Sequence, residues 1–385
     1  MFIHTLIALF VAIIGVVWIH PRLVKIALLK NIVDNPDARK LQRTPVPVLG
    51  GVAVFFGIVL GLALSSTYIS CTSLMTIVAA MMIMLYTGTM DDILDLSASL
   101  RLLVEIGVVL LIIYSSDISI NNFHGLWGVY GISSVWAIPL TVFASVGIIN
   151  AINMIDGVNG LSSGFCITAS IAFGTIFYLS GNIPMLMLAT VSVGSLLPFL
   201  FHNVFGKSSK MFIGDGGTLV MGVVMSVFVI NVLAARNITT YYLDSDFGVI
   251  AFTLAVMAVP VFDTLRVMLS RILRGTSPFH PDKTHLHHLF IDMGFSHAGT
   301  TASIIFLNVF VVFSQWLTWH LGGSINLQLY VVVTLGILIT TGLYTFMTKV
   351  SDNNPLKRGM KAIGRATRFE RKGAFLVLQK LVDRA

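Results

Sequence analysis

The sequence predicts an all-α polytopic integral membrane protein, and its composition and its long apolar runs carry this prediction. Of the 385 residues, 56% are hydrophobic and 11% are charged, whereas soluble domains contain about 25% charged residues. Apolar runs, most of them long enough to cross about 30 Å of hydrocarbon, recur along the whole chain. The runs are continuous rather than alternating, which indicates helices and not the strands of a barrel.

The apolar runs predict eleven transmembrane helices. They lie near residues 2–20, 46–65, 73–90, 102–115, 132–152, 160–180, 184–203, 213–235, 247–266, 298–318 and 327–347. Because the first run lacks a basic start and a small-residue cleavage site, we expect a retained helix and not a removed signal peptide. We therefore predict one membrane domain over residues 1–348, followed by a basic cytoplasmic tail over residues 349–385.

The distribution of basic residues predicts the orientation in the membrane. If residues 21–45 are cytoplasmic and the spans alternate from there, 23 of the 24 Lys and Arg residues lie on the cytoplasmic side. Only Arg236 falls outside. This bias follows the positive-inside rule, so we expect the N-terminus outside and the C-terminus inside. The same bias explains the net charge of +7, which therefore does not indicate a nucleic-acid-binding protein.

Carboxylates gather on the cytoplasmic side of this topology. Asp91 and Asp92 follow the third span, Asp156 follows the fifth, Asp215 opens the eighth and Asp263 lies near the inner end of the ninth. Ionisable groups at a membrane are costly and are candidates for function. The sequence therefore predicts one acidic site, built from the cytoplasmic segments 21–45, 91–101, 153–160, 204–215 and 267–297.

The residues around these carboxylates favour phosphoryl chemistry. Clustered carboxylates with Asn and Gly suit Mg²⁺, which usually completes its shell with phosphate oxygens. Gly214, Gly216 and Gly217 surround Asp215 at a helix start, where backbone N–H groups favour phosphate. The ninth-to-tenth loop adds basic groups: Arg271, Arg274, His280, Lys283, His285, His287 and His288. A metal site facing anion-binding groups is typical of phosphoryl transfer.

Each residue taken alone is also compatible with a structural role. Asp215 fits an N-cap, and Asp263 fits an ion pair with Arg266 three residues later. The histidines of the segment 285–288 suggest zinc, but no cysteine accompanies them, and phosphate contact suits their basic neighbours better. A lipid-linked sugar carrier or an ion-coupled transporter would share the hydropathy, but its acidic residues would lie near mid-span.

Four motifs, in this order, resemble the polyprenyl-phosphate N-acetylhexosamine-1-phosphate transferases of glycosyltransferase family 4. They are Asp91-Asp92, Asn153-x-x-Asp156-Gly-x-x-Gly160, Phe212-x-Gly214-Asp215-x-Gly217 and His285-x-His287-His288. The segments Asp34–Lys40, Pro47–Gly51 and Ser277–His288 extend the resemblance over roughly residues 30–300. It is strongest to the bacterial branch that uses UDP-N-acetylglucosamine and undecaprenyl phosphate.

The resemblance implies a reaction in the bacterial inner membrane, at the cytoplasmic face. Undecaprenyl phosphate would attack the β-phosphorus of a UDP-N-acetylhexosamine and release UMP, which yields the first lipid-linked intermediate of a cell-envelope polysaccharide such as lipopolysaccharide. The implied cofactor is Mg²⁺, with Mn²⁺ as a substitute. The implied partners are the two substrates and membrane lipids, and a homodimer is compatible with the family.

The resemblance also implies roles for individual residues. Asp215 would be catalytic and would bind the metal, Asp91 would act on the incoming lipid phosphate as a base or positioning group, and Asp92 would support the same catalytic cluster. The nucleotide pocket would be lined by Asn153, Asp156, Asn159 and Phe212, the last near uracil. The diphosphate or the sugar would contact Arg274, His285, His287 and His288.

Two departures from the family pattern leave the donor sugar less defined. Asn159 stands where close relatives often carry Asp, and Gln42 stands where a His is expected. The histidine segment lacks the three consecutive histidines of the peptidoglycan branch, so phospho-MurNAc-pentapeptide transfer is the second enzymatic alternative. For the tail, an anionic lipid surface and a solvated segment are equally compatible roles. We expect deletion of residues 355–385 to leave chemistry in detergent intact.

Overall fold

The computed structural model describes residues 2–35, 44–65, 74–234, 246–278, 282–368 and 373–384. Within the predicted motifs, residues 36–40, Gln42 and residues 279–281 lie outside these ranges, as does Arg236. The described chain is almost entirely helical. One two-stranded antiparallel pair, β1 (Val33–Asp34) and β2 (Val46–Pro47), joins the ends of the loop after the first helix.

The helices follow one another with short connections. They are α1 (Phe2–Leu29), α2 (Gly50–Ser65), α3 (Met75–Leu94), α4 (Ala98–Ser116), α5 (Ser134–Met154), α6 (Leu161–Leu179), α7 (Ile183–Phe205), α8 (Gly214–Leu233), α9 (Val249–Val256), α10 (Ala258–Leu273), α11 (Leu286–Asp292), α12 (His297–His320), α13 (Ile325–Ile337), α14 (Leu343–Lys349), α15 (Pro355–Ala366) and α16 (Ala374–Val382). A π-helical turn, Leu338–Gly342, joins α13 to α14 and makes them one continuous rod.

The prediction of a multi-span helical protein is confirmed, although the number of spans differs. Among the described residues, nine helices are long and apolar enough to cross a membrane, and the bent pair α9–α10 is a tenth candidate. The predicted second span corresponds to α2, whose 16 residues extend only about 24 Å. The count of eleven requires α2 to cross as well, so it stays a prediction, as does the orientation.

Helix α8 lies at the centre of the bundle and is buried along its whole apolar length. Helices α2, α3, α5 and α6 pack around it. A helix that is apolar on all faces can be surrounded by lipid or by other helices, and in this structure α8 is surrounded by helices. Its first turn, which carries Asp215, is therefore held in place by its neighbours.

A glycine brings α3 against the first turn of α8. A Cβ atom at Gly88 would lie 2.5 Å from the backbone of Asp215, so a side chain here would push the two helices apart. Because Gly88 lies one turn before Asp91 and Asp92, the close approach also places these two carboxylates beside Asp215.

The ninth predicted span is broken at Met257, where α9 and α10 meet at an angle of 72°. A break frees backbone groups that lipid cannot satisfy. Asn308 of α12 compensates for this: its Oδ1 accepts from the Val259 N–H and its Nδ2 donates to the Val256 carbonyl, both at 2.9 Å. The break turns α10 and the following histidine segment toward the acidic residues.

The C-terminal segment folds back onto the end of the bundle where α7 ends and α12 begins. After α15, Thr367 accepts two hydrogen bonds from Ser296, just before α12: its Oγ1 accepts from the backbone N–H and its carbonyl accepts from the hydroxyl. Helix α16 lies against the end of α7, where the rings of Phe375 and Phe205 are 5.1 Å apart. The segment therefore contacts the membrane domain at two separate places.

Candidate active site

Asp92 links the end of α3 to the start of α8. Its Oδ1 accepts from the backbone N–H of Asp215 at 3.1 Å, and its Oδ2 accepts from that of Gly216 at 3.4 Å. A carboxylate is well placed there, since the N-terminus of a helix offers unpaired N–H groups and a positive dipole end. The position that the sequence suggests for phosphate is therefore already occupied, in this structure, by a side chain of the protein.

Gly214 makes this arrangement sterically possible. It has φ +68°, in the left-handed region that favours glycine. A Cβ atom at this position would lie 2.5 Å from Asp92 Oδ2. Any other residue would therefore be strained and would also displace the carboxylate that caps α8.

Arg101 of α4 joins the other two carboxylates. Its Nη1 lies 2.7 Å from Asp91 Oδ2 and 3.5 Å from Asp215 Oδ2. Behind it, Glu105 is fully buried, with Oε1 3.8 Å from Arg101 Nε and Oε2 accepting from Asn150 Nδ2 at 2.5 Å. The guanidinium is thus held on both sides by carboxylates and offsets their charge where lipid and protein limit solvation.

The segment after α5 adds Asn153 and Asp156 to this cluster. Asn153 Nδ2 donates to Asp215 Oδ1 and to Thr218 Oγ1, each at 2.9 Å. Asp156 Oδ1 accepts from the Ser162 hydroxyl at 2.5 Å. Burial, together with the charge of Asp215, raises the pKa of Asp156 to about 7, despite the hydrogen bond from Ser162. Asp156 therefore changes charge near neutral pH.

Two cavities meet at this cluster. The larger, of about 760 Å³, is lined by six of the predicted residues: Asp92, Asp156, Asn159, Phe212, Asp215 and His288. The smaller, of about 300 Å³, is lined by Asn153, His285 and His287, and it shares Asp156 and His288 with the first. The structure thus brings nine of the eleven predicted residues to one connected region, while Asp91 and Arg274 line neither cavity.

The two remaining predicted residues are engaged in ion pairs. Asp91 is buried and bonded to Arg101, with its Oδ1 accepting from the Leu96 N–H. Arg274 is half exposed, and its Nη2 lies 3.1 Å from Asp282 Oδ2. Although burial raises the pKa of Asp282, hydrogen bonds from Arg271 and Thr284 lower it overall. Arg271, rather than Arg274, reaches the smaller cavity.

The histidine segment is anchored by Asp263. Asp263 Oδ2 lies 2.9 Å from His285 Nδ1, and Oδ1 lies 2.6 Å from Arg266 Nη2. The ion pair with Arg266, which the sequence suggests as a structural alternative, is present, and its carboxylate also positions His285. Asp263 thus acts on the site through the histidine and lines neither cavity itself.

Burial favours the neutral form of the other two histidines. Burial lowers the pKa of His287 well below its usual value, and the charges of His288 and His285 lower it further. Burial also lowers the pKa of His288. A side chain at Gly157 would overlap the ring of His287, so the loop after α5 and the histidine segment fit together closely. Neutral histidines offer one hydrogen-bond donor and one acceptor each.

The sequence relationships agree with this geometry. Residues 74–233 match the model of Glycosyl transferase family 4. This chain is 31% identical to the "Probable undecaprenyl-phosphate N-acetylglucosaminyl 1-phosphate transferase" of Bacillus subtilis (strain 168). The aligned region covers 88% of this chain and 90% of that protein. The chain belongs to glycosyl transferase family 4.

Other members of family 4 share a shorter region with this chain. It is 31% identical to the undecaprenyl-phosphate alpha-N-acetylglucosaminyl 1-phosphate transferase of Salmonella typhi, over 71% of this chain and 72% of that protein. Identity to the enzyme of the same name from Escherichia coli (strain K12) is 28% over the same shares. The family match contains Asp91, Asp92, Asn153, Asp156 and Asp215, whereas the histidine segment lies beyond it.

Sequence reasoning missed several residues of the site of this family 4 member. The motifs assign no site role to Arg101, although a basic residue inside an apolar helix is itself a functional candidate. Lys210, His297, Phe375 and Gln379 also line the larger cavity. Phe375 and Gln379 lie in the C-terminal segment. Their four-residue spacing places them on one helix face, and this is the sequence feature that could have indicated a shared role.

Proposed function

We propose that this chain transfers N-acetylglucosamine-1-phosphate from UDP-N-acetylglucosamine to undecaprenyl phosphate and releases UMP. The names of its family 4 relatives support the lipid acceptor and the sugar. The observation that carries the proposal is the larger cavity, which is lined by Asp92, Asp156 and Asp215 together with Lys210 and His288. Such a space suits a ligand that combines a phosphate–metal group with a polar sugar and base.

The carboxylates of the cavity fit the proposed Mg²⁺. Among the described residues, no three His, Cys, Asp or Glu side chains form a ready metal-binding set. Mg²⁺ commonly uses one or two carboxylates and takes its other ligands from phosphates and water. Asp215 suits this role, because its side chain is 36% exposed, it lines the larger cavity, and its Oδ2 lies as far as 3.5 Å from Arg101 Nη1. When bound, Mg²⁺ supplies charge neutralisation and orientation for the two phosphates.

The protein's own residues prepare the reactants in this proposal. Asn153 fixes the rotamer of Asp215 through its hydrogen bond to Oδ1. Arg101, held by Asp91 and Glu105, offsets the negative charge of the cluster, so that a second anion can approach. Asp156 and Asn159 line the part of the cavity where the family places the nucleotide. Asp91 is then a positioning group that acts through Arg101.

The bond changes of the proposed reaction are simple. An oxygen of the lipid phosphate attacks the β-phosphorus of the donor, and the bond from this phosphorus to the bridging oxygen breaks. UMP leaves with that oxygen, and the sugar remains on a diphosphate-linked lipid. The arrangement is compatible with direct transfer and with a covalent aspartyl intermediate.

The same proposal includes the membrane topology. We propose eleven crossings in the inner membrane, with the N-terminus outside and the active site at the cytoplasmic face. Two facts support it: the distribution of Lys and Arg, and the position of Asp92, Asp156 and Asp215 at helix ends that meet at one side of the bundle. A homodimer stays a prediction from the family resemblance.

The test of this function is UMP release by the purified protein in detergent. We expect release that requires UDP-N-acetylglucosamine, undecaprenyl phosphate and Mg²⁺ together. Release with UDP-MurNAc-pentapeptide instead would assign the chain to the peptidoglycan reaction. No release with any UDP-sugar, from folded protein supplied with lipid, would contradict the proposal and favour a membrane carrier.

A further inference from the structure

The end of the chain is fastened to the loop between α7 and α8 by one carboxylate. Asp383 Oδ1 accepts from the backbone N–H groups of Lys207, Ser208 and Ser209 at 3.0–3.1 Å. It also accepts from the Ser209 hydroxyl at 2.9 Å. Three successive N–H groups that point at one anion form a strong binding site, because each bond to a charged acceptor is stronger than a neutral one.

The same loop is fixed from its other side by a buried histidine. His20 of α1 is fully buried, and its Nε2 lies 2.8 Å from the Ser209 carbonyl oxygen. The ring of His20 stacks on that of His202 with centroids 4.1 Å apart. Ser209 is therefore held through its carbonyl by the membrane domain and through its N–H and hydroxyl by the C-terminal segment.

The fastened loop leads directly into the candidate active site. Lys210, the next residue, lines the larger cavity, and its Nζ lies 5.5 Å from the ring centre of Phe212. The segment from Phe212 onward is fixed separately, since the Phe212 N–H donates to the Pro47 carbonyl and the Gly50 N–H donates to the Phe212 carbonyl. The Asp383 contact thus controls the position of Lys210 more than that of Asp215.

Helix α16 contributes surface to the cavity as well. Phe375 and Gln379 line it, and with Asp383 they are spaced four residues apart, which places all three on one helix face. The ring contact between Phe375 and Phe205 seats this face on the end of α7. A second contact, between Thr367 and Ser296, lies next to His297 and Ala298, which line the same cavity.

We propose that the C-terminal helix α16 is a wall of the nucleotide-sugar site and that Asp383 is a positioning residue, which holds the 207–209 loop so that Lys210 faces the donor's diphosphate. The inference rests on the proposed function for the identity of the ligand. It replaces the expectation of a tail that contacts only the membrane surface or water, and with it the expectation that deletion of residues 355–385 leaves the chemistry intact. Lys210 supplies a cation opposite the carboxylates, and Asp383 acts on the substrate only through this loop.

The kinetic test compares Asp383→Ala and Asp383→Asn with Asp352→Ala. Asp352 also lies in the C-terminal segment but is exposed, paired with Lys357 and Lys361, and lines neither cavity. We expect Asp383→Ala to raise KM for the UDP-sugar about tenfold, with kcat changed less than about twofold, because ground-state binding is weakened. Asp383→Asn should lie between Asp383→Ala and the wild type, and Asp352→Ala should match the wild type. An unchanged KM in Asp383→Ala would overturn the positioning role.

A second measurement tests whether α16 is docked on α7, and it does not depend on enzyme activity. Phe205→Cys and Phe375→Cys are combined in a chain whose Cys71 and Cys166 are replaced by Ala, and the pair is treated with dibromobimane, which fluoresces after bridging two thiols. We expect a fluorescent full-length band from the double variant and none from either single variant. Absence of the band would overturn the proposal whatever the wild type catalyses. If the double variant gives the band but the wild type releases no UMP, α16 is still shown to be docked. That combination would count against the proposed function and not against the docking of α16.

Discussion

The three carboxylates at the meeting point of α3 and α8 differ in how their oxygens are used. Asp92 accepts from two backbone N–H groups, Asp91 is paired with Arg101, and Asp215 lines the larger cavity with its Oδ2 3.5 Å from Arg101 Nη1. The sequence places all three on one membrane side but cannot rank them, because their partners come from distant segments. In this structure Asp92 therefore caps α8 and Asp91 anchors Arg101, while Asp215 is the carboxylate that we propose as the metal ligand.

Removing the charge of Asp215 should abolish most turnover. Asp215→Asn keeps the shape of the side chain but weakens binding of a divalent cation, so we expect kcat for UMP release to fall at least about 100-fold. The matched control is Asp95→Asn, which changes an exposed carboxylate near the end of α3 and should leave kcat unchanged. Rates near those of the wild type at saturating Mg²⁺ would remove Asp215 from the metal site.

Asp156 should make the affinity for Mg²⁺ depend on pH. Its pKa of about 7 means that the carboxyl is largely neutral below this pH and charged above it. A nearby cation favours the charged form, so Mg²⁺ affinity should rise as pH increases through about 7. The effect of pH on folding has the opposite sign. Because the pKa of Asp156 is raised in the folded state, its stabilisation of the fold is complete below the pKa that it has in the unfolded state. This stabilisation is lost as pH rises through about 7.

The measurement is the Mg²⁺ dependence of UMP release at pH values on both sides of neutrality. We expect Asp156→Asn to flatten the increase in apparent Mg²⁺ affinity, since the amide does not titrate. An increase as steep as that of the wild type would show that another group is responsible.

The positions of individual helices can be predicted from the sequence where they depend only on the local pattern of apolar residues. The apolar runs place the spanning helices α3 to α8 and α12 within a few residues of their observed ends. The break between α9 and α10 was not predictable in this way, because the run is continuously apolar and the compensating Asn308 comes from α12. The short α2 was predicted as a helix, but its length falls below that of a normal span.

The contact between α3 and α8 can be tested with a pair of glycine substitutions. Gly88→Ala should separate the helices, since its Cβ would lie 2.5 Å from the Asp215 backbone, and it should lower both thermal stability and kcat. Gly107→Ala on α4 is the control, because nothing lies within 4 Å of its Cβ position. We expect Gly107→Ala to be neutral or stabilising by up to about 1 kcal/mol. Equal melting temperatures and rates for both variants would argue against a close α3–α8 contact.

At the scale of the whole molecule, the site is assembled from segments that are far apart in sequence. The motifs identify the segments that carry Asp92, Asp156, Asp215 and His288, and the structure brings these residues around one cavity. The contributions of Arg101 and of the C-terminal helix were not predicted. Arg101 lacks a motif of its own, and the composition of the tail is equally compatible with a lipid surface or water.

The central claim is that the sugar moves together with its own phosphate. The most direct measurement supplies UDP-N-acetylglucosamine labelled with ³²P at the β-phosphorus and with ¹⁴C in the sugar, and counts both labels in the lipid extract. We expect equal molar transfer of the two labels to undecaprenyl phosphate, with one UMP released for each product formed. Transfer of ¹⁴C without ³²P, with release of UDP, would contradict it.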